Sequence, residues 1–587
     1  MSKEAQKIYY EFSSFRLYPV ERTLECECAE VKLNDQWYDI LLILVRCRSR
    51  KVKSEELIGA IWPGQKKAQR ADNLYVNIAE LRRALRGVAP EASELIKNYR
   101  GEGYRFIADV KEHEVPTTVA ILPFKPEGNQ EALDEVGQEM ADTLTTMLNK
   151  NVSIRVVPSA TVIEEYNEHP KQSPLVFAHR LGADYIFTGR IRREHVNVDF
   201  LDVRAENVTS SASFEGGHSE SFELDRLIHK WMESVLKLTP TDRETAQSTK
   251  QHTKNQKANE CYKKGRIQRF KGTGVSLRKA VTYFKRATEE DPNFARAYAN
   301  LADTYIFMGM MNLITPRESY DGARDAATKA LEKDETMASA HTAWAFTKLF
   351  FEWQWDEAKE GFEQAIEINP NYPIARMGHA HWLTAQGRNR EAMKEIDEAL
   401  ALNPYSFFIS FVCGMVYFLA REYGKSLKRF EWTHELNLRF NLKSDLSHYG
   451  LSLTHEYLAL TDTSGERETA FKNADDEARL AVTISNRNPL KLMHRAHVNA
   501  MWGKRDEALK LLDEVLELRR AGYYVSPYHL GTAYVSLEEV DLAIESLEEA
   551  EKVLDQYLFL SGVDPRLDSL RTDPRFRELL LRLGLKG

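Results

Sequence analysis

The chain has 587 residues, too many for one hydrophobic core and enough for about three to five domains. With 43% hydrophobic and 29% charged residues it reads as globular, and it has no apolar run of 18 or more residues to make a membrane span. A net charge of −8 argues against wholesale coating of nucleic acid, and five scattered cysteines give no disulfide framework. The opening "MSKEAQKIYYEF" lacks the basic-then-apolar order of a signal peptide, so a cytoplasmic location is expected, with no membrane partner.

Charge is uneven. Residues 1–110 hold 19 Lys+Arg and 16 Asp+Glu, or +3, leaving −11 for the remainder. Within 44–105 there are 14 basic and 7 acidic residues, or +7, so the basic character is concentrated in one short region.

Taken in order, residues 1–110 open with the strand-like pieces "IYYEFSSFRLYP" and "RTLECECAEVKL". Cys26 and Cys28 form a C-x-C with no second pair to complete a zinc site, and are read as strand residues. "DILLILVRC", Asp39 to Cys47, predicts a first helix. Ser54 is an expected N-cap for a second. A third is predicted from Asp72, as N-cap, to a stop at Gly87. Its Leu74, Ile78, Leu81 and Leu85 form an apolar stripe, with Asn73, Asn77, Glu80, Arg82, Arg83 and Arg86 elsewhere on its surface.

In "NYRGEGYRFIADV", Gly101 and Gly103 would suit a phosphate loop only with a third glycine and a following helix. Phe106 stands at the third position and the segment after it is strand-like, so a hairpin is expected. Strands, three helices and a hairpin together predict an α+β winged helix-turn-helix.

These residues resemble the OmpR/PhoB-type winged helix. The resemblance is carried by Phe15, Leu17, Leu24, Val31, Leu33, Leu41-Leu42, Val52 with Ser54, Glu56 and Leu57, Ile61-Trp62, "NLYVNIAELRRAL" and "RGEGYRF". It implies that Asn73, Asn77 and Glu80 face base edges. Arg70, Arg82 and Arg83, with Arg100 and Arg105 of the wing and Lys51 and Lys53 before the second helix, are expected to reach phosphates or bases. The family often has two basic residues where this chain has Ala79 and Glu80, which predicts modest intrinsic affinity. No phospho-receiver precedes the winged helix, so control by aspartyl phosphorylation is not expected.

Residues 117–240 alternate strand and helix patterns: "TTVAILPF", "EALDEVGQEMADTLTTMLNK", "VSIRVVPSATVIEEY", "LGADYIFTGRIRREHVNVDFLDV" and "FELDRLIHKWMESVLKL". This predicts an α/β layer. It resembles the TolB-amino-terminal-like domain through "VAILPF" and "GADYIFTGRI", a likeness that implies no catalytic residues. His195 and His218 lack partners at ligand spacing and are read as surface residues.

From about 255 to 587 a repeat pattern takes over. Pro370 to Pro404 is a step of 34 residues, the tetratricopeptide period, around Ala380, Gly387, Ala392, Ile396 and Ala399. Ala358, Phe362 and Ala365 mark the preceding unit, and Ala280, Phe284, Ala287 and Pro292 an earlier one. About eight helix pairs are expected, with an irregular stretch at 440–490 and a tail, "VDPRLDSLRTDPRFRELLLRLGL", similar to the terminal cap of bacterial tetratricopeptide arrays. His379 and His381 form an H-x-H whose side chains diverge on a helix, so His381 is read as structural or peptide-contacting.

No P-loop, H-E-x-x-H or G-x-S-x-G motif is present, so neither enzyme activity nor a metal or cofactor is expected. The arrangement resembles HilA-like/CadC-like soluble one-component regulators that join an OmpR-type domain to tetratricopeptide repeats, the membrane-anchored relatives of the CadC kind being disfavoured by the missing span. That resemblance implies promoter DNA as a partner, RNA polymerase as a further one, a protein or peptide in the tetratricopeptide groove, and a homodimer. The competing expectation is an interaction scaffold whose winged helix no longer binds DNA.

Overall fold

A computed structural model of the chain describes residues 8–585 except 20–21, 27–28, 63–67, 90–91, 93, 100–101, 115–116, 128–131, 150, 152, 158, 170–171, 193–194, 216–220, 239–252, 271–273, 440–443 and 464. It divides into two compact units, Met1–Thr117 and Thr118–Gly587.

The first unit opens with an antiparallel meander: β1 Ile8–Phe12, β2 Phe15–Tyr18, β3 Thr23–Cys26 and β4 Ala29–Glu30. Alternation sends Tyr10, Phe12, Phe15, Leu17, Leu24 and Cys26 inward. Three helices follow: α1 Asp35–Arg46, α2 Ser54–Ile61 and α3 Ala68–Val88. Next comes the hairpin of β5 Ile96–Tyr99 and β6 Gly103–Phe106, in register from Ile96↔Phe106 to Tyr99↔Gly103. Finally β7 Lys111–Glu114 pairs with β1.

Three helix starts differ from expectation. α1 begins four residues earlier than Asp39, because Asn34 accepts from the Trp37 N–H and caps it there. α2 is capped in backbone terms by Lys53, with Ser54 already helical and no side-chain cap bond. α3 likewise begins a turn before Asp72: Ala68-Gln69-Arg70-Ala71 are good helix formers, with no breaker among them.

The second unit begins with an α/β layer. Its sheet contains β8 Thr117–Ile121, β9 Lys125–Pro126, β10 Ile154–Val156, β11 Tyr185–Ile191, β12 His195–Asp202 and β13 Asn207–Glu215, in the order β10-β8-β11-β12-β13, with β9 beside β11. β8 and β11 are parallel, and β11, β12 and β13 are antiparallel. Val119 and Ile121 pack with α4 (Ala132–Leu148) and α7 (Ser221–Val235) on one face. Ala120 and Leu122 pack with α5 (Ser159–Glu168) and α6 (Pro174–Leu181) on the other. Helices on both faces explain why "VAIL" is apolar without alternation.

Residues 256–552 form eight antiparallel helix pairs among the described residues, from Gln256–Phe270 with Gly274–Glu290 to Pro527–Ser536 with Val540–Lys552. One hydrophobic core runs through them from Ala258 to Leu560. The stretch 440–490, expected to be irregular, holds an ordinary pair, Leu446–Leu460 and Arg467–Ile484; long connections on either side of its first helix hide the period. Close approach depends on small residues: a Cβ on Gly414 or Gly450 would come within 2.6 or 2.3 Å of the Phe430 ring.

The tail then folds back into the array. Gln556 donates to the Gly309 carbonyl at 2.6 Å and the Tyr557 hydroxyl to that of Met310 at 3.0 Å. Phe559 packs against Phe350, and Trp355 Nε1 donates to the Leu583 carbonyl at 2.8 Å. The α/β layer is pinned to the array by charge. Glu165, fully buried, lies between Arg180 at 2.6 Å and Arg439 at 3.8 Å; Arg266 meets Asp142 at 2.7 Å; and Lys263 pairs with Glu139.

Candidate nucleic-acid interface

The site is built on α3. Leu74, Ile78, Leu81 and Leu85 are all buried, which fixes the helix's orientation. At about 3.6 residues per turn, Val76, Ala79 and Arg83 lie on the side opposite that stripe. Val76 is 55% exposed and Tyr75 65% exposed, and neither stood out in the sequence. The signal was available: in "NLYVNIAELRRAL" they are the large apolar residues that fall off the stripe.

Each expected contact residue has a definite place. Asn73 is exposed near the start of α3. Asn77 Oδ1 accepts from Trp37 Nε1 at 2.9 Å, and its Nδ2 donates to the Asn73 carbonyl at 2.7 Å, so its amide ties α1 to α3. Arg82 donates through Nε at 3.1 Å and through Nη2 to the Ile96 carbonyl, fastening the hairpin to the helix. Arg83 Nη1 contacts both Glu80 carboxylate oxygens, at 2.7 and 2.9 Å. Arg70 lies in α3, but its side chain falls outside the described residues, as does Arg100 with Gly101.

In the hairpin, Gly103 has φ +110°, and a Cβ there would come 2.1 Å from the Val52 carbonyl oxygen. That closeness lets Tyr104 and Val52 exchange backbone hydrogen bonds at 2.7 and 2.9 Å, joining the wing to the segment before α2. Glu102, at the tip, pairs with Lys51, whose ammonium also sits 4.4 Å from the Tyr99 ring centroid. Lys53 is exposed at the start of α2. Arg105 makes a long contact, 3.4 Å, to the Arg48 carbonyl. Burial pushes the Tyr104 hydroxyl up in pKa, against the lowering effect of the Arg82 guanidinium.

The residues noted in the array do different work. His381 is buried, edge-on to Phe350 and Phe559, and burial lowers it to about 4. His379 stacks on Trp382 and faces Glu395 at 3.9 Å, so the H-x-H side chains diverge. Cys26 is a buried strand residue and His195 a half-buried one; Cys28 and His218 lie outside the described residues. No three His, Cys, Asp or Glu side chains stand together as a metal site among the described residues, and no described helix is long and apolar enough to cross a membrane.

Three helices with a hairpin wing bridged to the start of the second helix define a winged helix-turn-helix. Residues 29–106 match the family described as "Transcriptional regulatory protein, C terminal", and they form an OmpR/PhoB-type winged helix. Over 407 residues the chain is 22% identical to the transcriptional regulators HilA of Salmonella typhi and Salmonella typhimurium, covering 64% of this chain and 67% of each relative. By these matches the chain is similar to transcription regulators.

Among solved structures it is similar to the Cut9–Hcn1 hetero-tetramer of APC/C (13% identity, 62% of this chain and 63% of that one, TM-score 0.37). It is also similar to PilF of Pseudomonas aeruginosa (21% identity, 38% and 93%, TM-score 0.27). The superhelix itself rests on the chain's own eight helix pairs.

Proposed function

We propose that the chain is a sequence-specific DNA-binding transcription regulator in which α3 enters the major groove and the hairpin lies along the backbone. The observation that carries this is the outward face of α3. It is solvent-facing, opposite a fully buried stripe, and next to a wing anchored through Gly103 and Tyr104. Asn73, Arg83, Lys53, Lys51 and Arg105 are the proposed DNA contacts among residues whose side chains are described, with Arg70 and Arg100 proposed on sequence grounds. Glu80 reads bases only if it releases Arg83, and Asn77 and Arg82 serve chiefly to hold the site together.

The helical array is the proposed input module, taking a protein partner. Along Gly309, Met310, Phe350 and His381 its inner surface is already filled by the chain's own tail. A partner therefore docks on surface left outside that segment or displaces it. Contact with RNA polymerase and homodimerisation are natural extensions of this reading.

A second reading, a scaffold without DNA binding, is favoured by two pairs, Glu80–Arg83 and Glu102–Lys51, which cancel cations on the DNA side. A gel shift with genomic promoter fragments at low salt separates the two. Retention by the wild-type chain, lost in an Arg83→Ala/Lys53→Ala variant, supports regulation; no retention of any fragment supports the scaffold.

A further inference from the structure

We infer that α3 reads thymine, through its 5-methyl group, by means of Val76 with Ala79 and Tyr75 beside it. This rests on the DNA-binding reading and names the base chemistry of that same site.

Three observations carry it. First, of the polar side chains of α3 that could read bases, Asn77, Arg82, Arg83 and Glu80 are already engaged within the protein, which leaves Asn73 and Arg86, exposed towards the two ends of the helix. Both ends of the Asn77 amide are bonded, Arg82 forks onto the Ile96 carbonyl, and Arg83 and Glu80 hold each other. Each would surrender an existing bond to reach a base, so its net discrimination shrinks. Second, the outward face carries apolar side chains: Val76 is 55% exposed, Ala79 is exposed between it and Arg83, and Tyr75, 65% exposed, lies at the flank of that face. A β-branched residue on an exposed helical surface gains nothing in helix propensity, so its presence there suits contact with something apolar. Third, the thymine methyl is the apolar feature that base edges offer in the major groove, and adjacent small and branched side chains are what it packs against.

The same patch would also fit another protein surface. The surrounding charge favours DNA: residues 44–105 carry +7, with Arg83 at the patch, Lys53 exposed and Arg86 exposed one turn along α3.

The test uses the full chain and a short duplex enriched by it from a random-sequence pool. The duplex is resynthesised with uracil replacing thymine one position at a time, which removes only the methyl and keeps every hydrogen-bonding group. At one or more positions uracil is expected to weaken binding about fourfold, the worth of one buried methyl. Val76→Ala, an exposed change to a better helix former, is expected to bind the thymine and uracil duplexes alike with an unchanged salt slope. Equal binding of both duplexes by the wild-type chain would overturn the inference, as would full discrimination surviving in Val76→Ala. If neither duplex is bound at low salt, the DNA-binding reading itself fails and takes this inference with it.

Discussion

Trp37 of α1 donates its indole N–H to the Asn77 amide oxygen of α3 at 2.9 Å, and Asn77 passes the connection on to the Asn73 carbonyl. A residue that the sequence offers as a base reader is, in the fold, a strut between α1 and α3. Asn77→Ala is therefore expected to cost about 1 kcal/mol of stability in the first unit, the worth of a part-buried hydrogen bond. A double-mutant cycle with Trp37→Phe in urea unfolding checks it. Coupling near zero would show that the two side chains act independently.

Glu80 and Arg83 form the other decisive pair on α3. Both are accessible, so the pair adds little stability; on the DNA-binding reading it holds a cation away from phosphate. Glu80→Gln is expected to raise DNA affinity and steepen the slope of log affinity against log salt by about one unit. Fluorescence anisotropy over a salt series reads both quantities. An unchanged slope would place Arg83 off the DNA.

Gly103 is held at φ +110° against the Val52 carbonyl. Gly103→Ala meets both a strained backbone and a clash, and is expected to destabilise the first unit by about 3 kcal/mol. Hydrogen exchange at the Tyr104 amide, which donates to Val52 at 2.9 Å, would rise with it. Unaltered protection there would contradict the proposed bridge.

How much of this could be read beforehand differs from element to element. The α3 stripe was legible because a helix writes its buried face into the spacing of Leu74, Ile78, Leu81 and Leu85. The hairpin was legible because Phe106 excluded a phosphate loop. β13 was not placed: "NVTSSASFE" is a polar edge strand, mostly exposed, that owes its existence to the ladder with β12. The commitments of Asn77 and Arg82 depend on partners 40 and 14 residues away, which no local pattern encodes. The tail was recognisable as a cap. Its seat inside the array follows from a superhelix that brings Leu583 back to Trp355, across 228 residues.

That seat makes a prediction for the array. Phe559 is buried against Phe350, at 5.0 Å between ring centroids, and against His381 at 5.7 Å. Phe559→Ala is expected to cost about 3–5 kcal/mol by leaving a cavity, and to expose residues 553–571 to proteolysis before the helices around them. Loss of less than about 1 kcal/mol would mean that the tail is not part of the array's core.

His381 supplies a pH signature. Its folded value, lowered to about 4 by burial, lies below the ordinary 6.5. The unfolded chain therefore binds the extra proton first, and the folded state loses stability as pH falls from about 6.5 to about 4. The loss attributable to this residue is at most about 3 kcal/mol. Comparing His381→Leu with wild type across that window isolates it. Parallel pH profiles would show that the imidazole is not desolvated.

The central claim is that the outward face of α3 engages specific DNA. Its most direct test is crosslinking in native cells followed by sequencing of the recovered DNA, with the wild-type chain and with Val76→Ala/Arg83→Ala. The expected result is a discrete set of promoter sites sharing a thymine-containing motif, enriched by the wild-type chain and lost in the variant. No enrichment above background, or the same sites recovered by both proteins, would contradict it.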